Sequence, residues 1–171
     1  IKDVTKLFEE YKLDETIGKI EELFLDLSRT YMQLTRDKIS LGTKEEKEAV
    51  IKTIYDVIIT VLKMFSPISP FVTEQIYQNF KESFKLNEES IHMFMWPKYD
   101  ETVINKQLEN DMNVYSNTLQ SILYAREKAQ LGLRWPVKEV IITTSDEKLI
   151  ESLENTEDLL KTQANFKEIK I

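Results

Sequence analysis

The residues best suited to chemistry lie together in Arg126–Pro136, which reads R-E-K-A-Q-L-G-L-R-W-P. Arg126, Lys128 and Arg134 accompany Trp135 where a long helical repeat ends at Gly132 and a β-branched run begins at Val137. Guanidinium and indole planes stack on nucleobases while cations neutralise phosphates, so this mixture suits an RNA strand. A plainer reading also fits: basic side chains oppose a helix dipole at its C-terminus, and the Trp packs under the turn. Spacing alone favours the plainer reading.

Catalytic options elsewhere are narrow. The chain has no Cys, which removes disulfides, thiolate metal sites and cysteine nucleophiles. His92 is the sole histidine and is read as structural beside Trp96. Gly18, Gly42 and Gly132 are the only glycines, too few for a phosphate-cradling loop. The pairs Glu9-Glu10, Glu21-Glu22 and Glu45-Glu46 resemble acid–base dyads. Neighbours on a helix point about 100° apart, so solvated faces account for them better. Met64, Met93, Met95 and Met112 sit in apolar runs and are read as core filling. No catalytic or metal-binding residue is expected.

Of 171 residues, 42% are hydrophobic and 31% charged, a soluble globular composition with material for a core. No apolar run approaches the roughly 20 residues of a membrane helix. The chain starts without Met inside a helical repeat, as an excised fragment of a longer chain would. Its net charge of −7 argues against general nucleic-acid binding. The balance over residues 1–50, 51–100, 101–135 and 136–171 is −3, −1, 0 and −3. The Arg126–Pro136 segment therefore lies in the least acidic stretch, where a local basic site can still meet RNA.

The elements that must position it are mainly helical. Ile1, Val4, Phe8 and Tyr11 mark a short first helix. Asp14 is placed to cap a second, with an apolar seam at Ile17, Ile20, Phe24, Leu27, Tyr31 and Leu34. Arg29 and Arg36, seven apart, would share a face of it. Gly42 ends that helix, and Thr43 with Glu46 forms a capping box for a third. The third has a wide apolar face from Val50 to Phe65, suited to the centre of a bundle. Pro67 stops it; Ser69-Pro70 starts the next, burying Phe71, Ile76, Tyr77 and Phe80. Residues 83–89 read as a loop and 91–96 as a short extended strip. Asp100 would cap the longest helix, whose seam is Ile104, Leu108, Met112, Tyr115, Leu119 and Ile122. Gly132 would end it in a left-handed conformation. Val137–Thr143 reads as a strand, Asp146–Leu153 and Glu157–Ala164 as helices, and Phe166–Ile171 as a strand. Two strands make a marginal sheet, so further strands, or packing on the bundle, are expected.

Four blocks carry a resemblance. They are Leu27-Ser28-Arg29-Thr30-Tyr31 with Arg36-Asp37-Lys38, Ser66-Pro67-Ile68-Ser69-Pro70-Phe71-Val72-Thr73-Glu74-Gln75-Ile76-Tyr77, Ser90-Ile91-His92 with Trp96-Pro97, and Arg126–Pro136 followed by Val137. In order and spacing the chain resembles the anticodon-binding region of isoleucyl-tRNA synthetases of the archaeal and eukaryotic type. The second block also resembles valyl- and leucyl-tRNA synthetases; the last tilts the likeness to isoleucine. The family usually has Trp where Thr30 stands and again near Ser40, which puts an aromatic contact on that helix in doubt.

The resemblance implies a mainly α fold: the anticodon-binding helical bundle of class I aminoacyl-tRNA synthetases over residues 1–132, with a small α/β appendage over 133–171. It implies a cytoplasmic ligase whose ATP and magnesium belong to a separate catalytic domain. This chain has no cofactor of its own and lacks the catalytic and editing signatures. Lys63-Met64-Phe65-Ser66-Pro67 lacks the second lysine of a catalytic loop and ends a helix. The expected partners are the anticodon stem-loop of tRNA-Ile and the catalytic domain, with no membrane. Candidate RNA contacts are Arg126, Lys128, Gln130, Arg134 and Trp135, then Arg36 and Lys38. As the last of four ordered blocks, the Arg126–Pro136 region is read as an RNA site more than a packing joint. Gly132 and Pro136 form its hinge, and Arg126 lies at the bundle edge. The alternatives are the equivalent domain for valine or leucine, and a helical protein-interaction module without RNA.

Overall fold

Helix ends explain where the chain turns. In the structure, a computed structural model describing residues 1–171, the contacts group into two units, Ile1–Asp100 and Glu101–Ile171. The first holds α1 (Lys2–Glu9), α2 (Leu13–Leu25), α3 (Met32–Leu34), α4 (Arg36–Leu41), α5 (Lys44–Phe65) and α6 (Pro70–Phe84). Tyr11 adopts φ 58°, and the N–H groups of Tyr11 and Lys12 donate to the carbonyls of Phe8 and Leu7. This is a Schellman ending. It leaves Tyr11 89% exposed instead of closing the apolar stripe. Asp14 does not cap α2, which starts one residue earlier, at Leu13; its charge instead favours the first turn.

The expected seam from Ile17 to Leu34 needs an unbroken 3.6-residue repeat. A π-helical turn over Asp26–Tyr31 widens it, and Thr35 Oγ1 donates to the Tyr31 carbonyl at 2.7 Å where the helix bends. Ile20 and Leu27 are buried, while Ile17 and Phe24 are exposed. The break also removes the phase that would align Arg29 with Arg36. Gly42 follows α4 with extended backbone; a Cβ there would lie 2.3 Å from the Lys38 carbonyl oxygen, so close approach requires glycine. The Thr43–Glu46 capping box forms in both directions.

Helix α5 serves two clusters. Met64 packs with Val4 and Ile20, surrounded by Phe8, Leu23, Phe65 and Trp96. Ile59 and Leu62 pack with Tyr77 and Ile91. Phe8 meets Trp96 edge-on at 5.1 Å, and Trp96 Nε1 donates to Thr5 Oγ1 at 2.8 Å. On α6, Tyr77 is fully buried and donates to the Glu88 carbonyl at 2.8 Å. Phe71 (88% exposed) and Ile76 lie outside the core, because Thr73 and Tyr77 fill the inward face.

The strip over 91–96 is not a strand. Glu74 Oε2 accepts from Ser90 Oγ at 2.8 Å and from the Ile91 N–H at 3.1 Å. Ser90 Oγ accepts from the His92 N–H. These bonds wind Ile91–Met93 into a 3₁₀ turn that drives Ile91 into the core. Glu74 also accepts from Gln78 Nε2 at 2.6 Å. Burial pushes the Glu74 carboxyl up, but bonds from Gln78, Ser90 and the Ile91 N–H outweigh this and hold it below its usual range.

The second unit holds a 3₁₀ turn (Glu101–Val103), α7 (Lys106–Lys128), β1 (Val137–Ile141), α8 (Glu147–Asn155), α9 (Glu157–Ala164) and β2 (Phe166–Lys170). Asn105, not Asp100, caps α7, accepting from the Leu108 N–H at 3.0 Å; the 3₁₀ turn separates Asp100 from the helix. The strands pair in parallel, with Val137 opposite Phe166 and Ile141 opposite Lys170. The strand–helix–helix–strand order matches expectation, and Asp146 caps α8. Asp111, Tyr115, Ile122 and Arg126 are buried on α7, whereas Leu108 is exposed. Asp111 accepts from Gln107 and Asn155, and Asn110 donates to Ser152. These bonds and the packing of α7 on α8 and α9 join the helix to the tail. The unit division at residue 100 thus precedes the sequence-based boundary at 132.

The lowered Glu74 carboxyl has a defined pH consequence. Its stabilisation is complete above the ordinary unfolded carboxyl value and is lost as pH falls through the lower folded value. Urea midpoints measured against pH should fall in that acid window for the native chain. Glu74→Gln should be less stable at neutral pH and show a shallower acid loss.

Candidate nucleic-acid interface

Arg126 builds the joint. It sits in the last turn of α7, 7% exposed, and its Nη2 donates to the carbonyls of Gly132 (2.7 Å) and Trp135 (2.5 Å). One guanidinium therefore gathers two carbonyls from the turn after the helix. Its Nε and Nη1 are buried without an acceptor. Arg126 shapes the candidate surface from beneath and does not present its own charge, which corrects its reading as an RNA contact. The sequence showed its i+4 spacing from Ile122 but not what its far end would reach.

The helix ends at Lys128 by a Schellman motif in which Gln130 N–H donates to Glu127 and Leu131 N–H donates to Arg126. The left-handed residue is Gln130, at φ 54°; Gly132 has no positive φ. The sequence assigned that role to glycine because glycine adopts it without a Cβ clash. The Schellman bonds reverse the chain at Gln130, two residues earlier. Gly132 instead lies near the indole: a Cβ there would stand 3.9 Å from Trp135 Cδ1. The Trp135 N–H donates to the Gly132 carbonyl at 3.0 Å, and Asn165 Nδ2 donates to the Leu133 carbonyl at 2.8 Å. The turn is thus tied to the helix before it and to the start of β2.

What this tied turn offers to solvent is mixed. Trp135 is 72% exposed, so it does not pack under the turn as the plainer reading required. Arg134, Lys128 and Gln130 are exposed. Tyr124, which the sequence reading did not single out, is also exposed, with Lys128 Nζ 5.3 Å from its ring centroid. Its i,i+4 relation to Lys128 was the available signal. A helix end and turn carrying an indole, a phenol ring and two exposed cations can stack bases and contact phosphates. Nothing in it resembles a nucleophile, a general base or a metal cage; no group of three or more His, Asp or Glu residues is placed to hold an ion.

Arg36 and Lys38 lie in the other unit, both exposed on α4. Two residues apart on a helix, they point to different sides. His92 lines a small pocket with Lys63, Phe94 and Trp96 in the first unit, where Lys63 Nζ stands 4.2 Å from the Phe94 ring centroid. No helix is long and apolar enough to cross a membrane.

Comparison with known proteins identifies the family. The family described as "Anticodon-binding domain of tRNA ligase" matches residues 1–142. Isoleucine–tRNA ligase of Pyrococcus abyssi is 37% identical over 147 residues, covering 85% of this chain and 14% of the relative. That of Methanothrix thermoacetophila is 37% identical over 173 residues, 99% of this chain and 16% of the relative. That of Thermococcus kodakarensis is 34% identical over 173 residues, all of this chain and 16% of the relative. The chain thus spans less than one fifth of the length of the relatives it matches.

Two variants probe the joint. Arg126→Ala should cost roughly 2–4 kcal/mol in urea unfolding, because it takes the charged donor from the Gly132 and Trp135 carbonyls and opens a buried space. Gln130→Gly should raise stability by about 1 kcal/mol in the same assay by relieving the left-handed Cβ.

Proposed function

We propose, for a chain that belongs to the anticodon-binding domain family of tRNA ligases, that it holds the anticodon stem-loop of tRNA-Ile within an isoleucine–tRNA ligase. The observation that carries the reading is the exposed Trp135, fixed on a turn by buried Arg126 and flanked by exposed Arg134 and Lys128. Trp135 and Tyr124 supply stacking faces for unstacked bases, while the cations follow the backbone. Arg36 and Lys38 are assigned to phosphate contacts on the first unit. The likeness to isoleucine–tRNA ligases supports the choice of tRNA.

This is recognition without bond-making. The parent enzyme joins isoleucine to tRNA in the cytoplasm; its ATP and magnesium are assigned to the catalytic domain, and none to this region. The region's part is to fix the far end of the tRNA so that the acceptor end reaches that domain. The acidic body, at −7, keeps non-specific RNA binding low and leaves the turn as a local site.

The test is tRNA binding by the parent enzyme. Trp135→Ala should weaken tRNA-Ile affinity by about 1–3 kcal/mol, and the side chain's exposure leaves the fold intact. Arg134→Ala should lower the slope of log affinity against log salt by about one contact's worth. A preference for tRNA-Val or tRNA-Leu over tRNA-Ile would overturn the amino-acid assignment. Unchanged affinity in folded Trp135→Ala would remove the turn from the interface.

A further inference from the structure

We infer that Asn165 is a positioning residue for the RNA-facing turn: its side chain sets the direction of Arg134, as Arg126 sets the backbone of Trp135. The inference deepens the reading above, in which that turn meets tRNA, and rests on it. Asn165 lies in the tail, beyond residue 142 where the family match ends.

Three groups of Asn165 bind three different places. Its N–H donates to the Lys161 carbonyl and closes α9. Its carbonyl accepts from the Val137 N–H at 3.0 Å, at the start of the pairing between β1 and β2. Its Nδ2 donates to the Leu133 carbonyl at 2.8 Å. One residue thus holds both ends of the segment Arg134-Trp135-Pro136. Ala164 and Phe166, buried on either side, anchor it in the second unit.

Closing a helix does not account for the amide. Asn165 is left-handed, with φ 51° and ψ 60°. Glycine takes that conformation without a Cβ clash, and the capping bond comes from the main chain. What the side chain adds is the bond to Leu133.

That bond acts on Arg134. The Leu133 carbonyl and the Arg134 N–H share one planar peptide, so holding the carbonyl fixes the plane from which Arg134 leaves. The next peptide is held by the bond from the Trp135 N–H to the Gly132 carbonyl, and the one after it by Arg126 Nη2 on the Trp135 carbonyl. Without the Asn165 amide the first of these three peptides loses its tie. Arg134 is exposed, so a phosphate that it meets must then order its backbone as well as its side chain.

Binding of tRNA-Ile by the full-length parent enzyme, measured as a double-mutant cycle, tests this. Asn165→Gly keeps the left-handed backbone and removes the donor. It should weaken binding about three- to tenfold and lower the slope of log affinity against log salt toward that of Arg134→Ala. In the Arg134→Ala background the same substitution should change affinity by less than about twofold. Asn165→Asp, which keeps the shape but has no N–H to donate at neutral pH, should repeat both results and decides the matter if Asn165→Gly does not fold. A loss as large in the Arg134→Ala background as in the native enzyme would mark a merely structural residue and overturn the inference. Unchanged affinity and salt slope in a folded Asn165 variant would overturn it too, as would failure of both variants to fold. Trp135→Ala is measured alongside. If it weakens binding while the Asn165 variants do not, the positioning role falls and the functional reading stands. If neither Trp135→Ala nor Arg134→Ala weakens binding, that reading falls, and this inference with it.

Discussion

The candidate interface depends on one buried guanidinium. Arg126 leaves the last turn of α7 and takes the carbonyls of Gly132 and Trp135 on a single nitrogen. The Gly132 carbonyl also accepts from the Trp135 N–H, and a charged donor holds both carbonyls more strongly than a neutral one. The bond to Trp135 fixes the backbone of the residue whose ring stands in solvent. The bond to Gly132 fixes the floor beside that ring. The backbone that carries the exposed groups is fixed on folding, so that part of the entropy of arranging them is met before RNA binds.

Glu74 performs a comparable task in the first unit. Its carboxylate joins the helix that starts at Pro70 to the turn that starts at Ser90. Two of the sequence blocks that suggested the family are therefore two halves of one hydrogen-bonded clamp. Trp96, from the same region, reaches Thr5 of α1. These motif residues maintain the shape of the bundle.

Much of the fold was legible because local signals agreed with the packing. The Thr43–Glu46 box, the Asp146 cap, the wide face of α5 and the strand–helix–helix–strand tail all have causes within a few residues. Two of the misses have a non-local cause. Phe71 and Ile76 are exposed because Thr73 and Tyr77 take the inward face. The 91–96 strip winds into a turn because Glu74, far away in sequence, binds it. Gln130, not Gly132, takes the left-handed position, because the backbone bonds that close α7 fall two residues before the glycine. At the interface, the residue types and the segment were readable, but the division of labour was not. Arg126 and Arg134 look alike in sequence; only the carbonyls around Arg126 separate a buried organiser from an exposed cation.

The central claim is that the turn organised by Arg126 meets the anticodon loop. Photo-crosslinking of the parent enzyme to a tRNA-Ile anticodon stem-loop, with the linked residues mapped by mass spectrometry, tests it most directly. The account predicts adducts at Trp135 and Tyr124, lost when excess unlabelled tRNA-Ile competes. Adducts confined to other surfaces, with both of these aromatics unmodified, would contradict it.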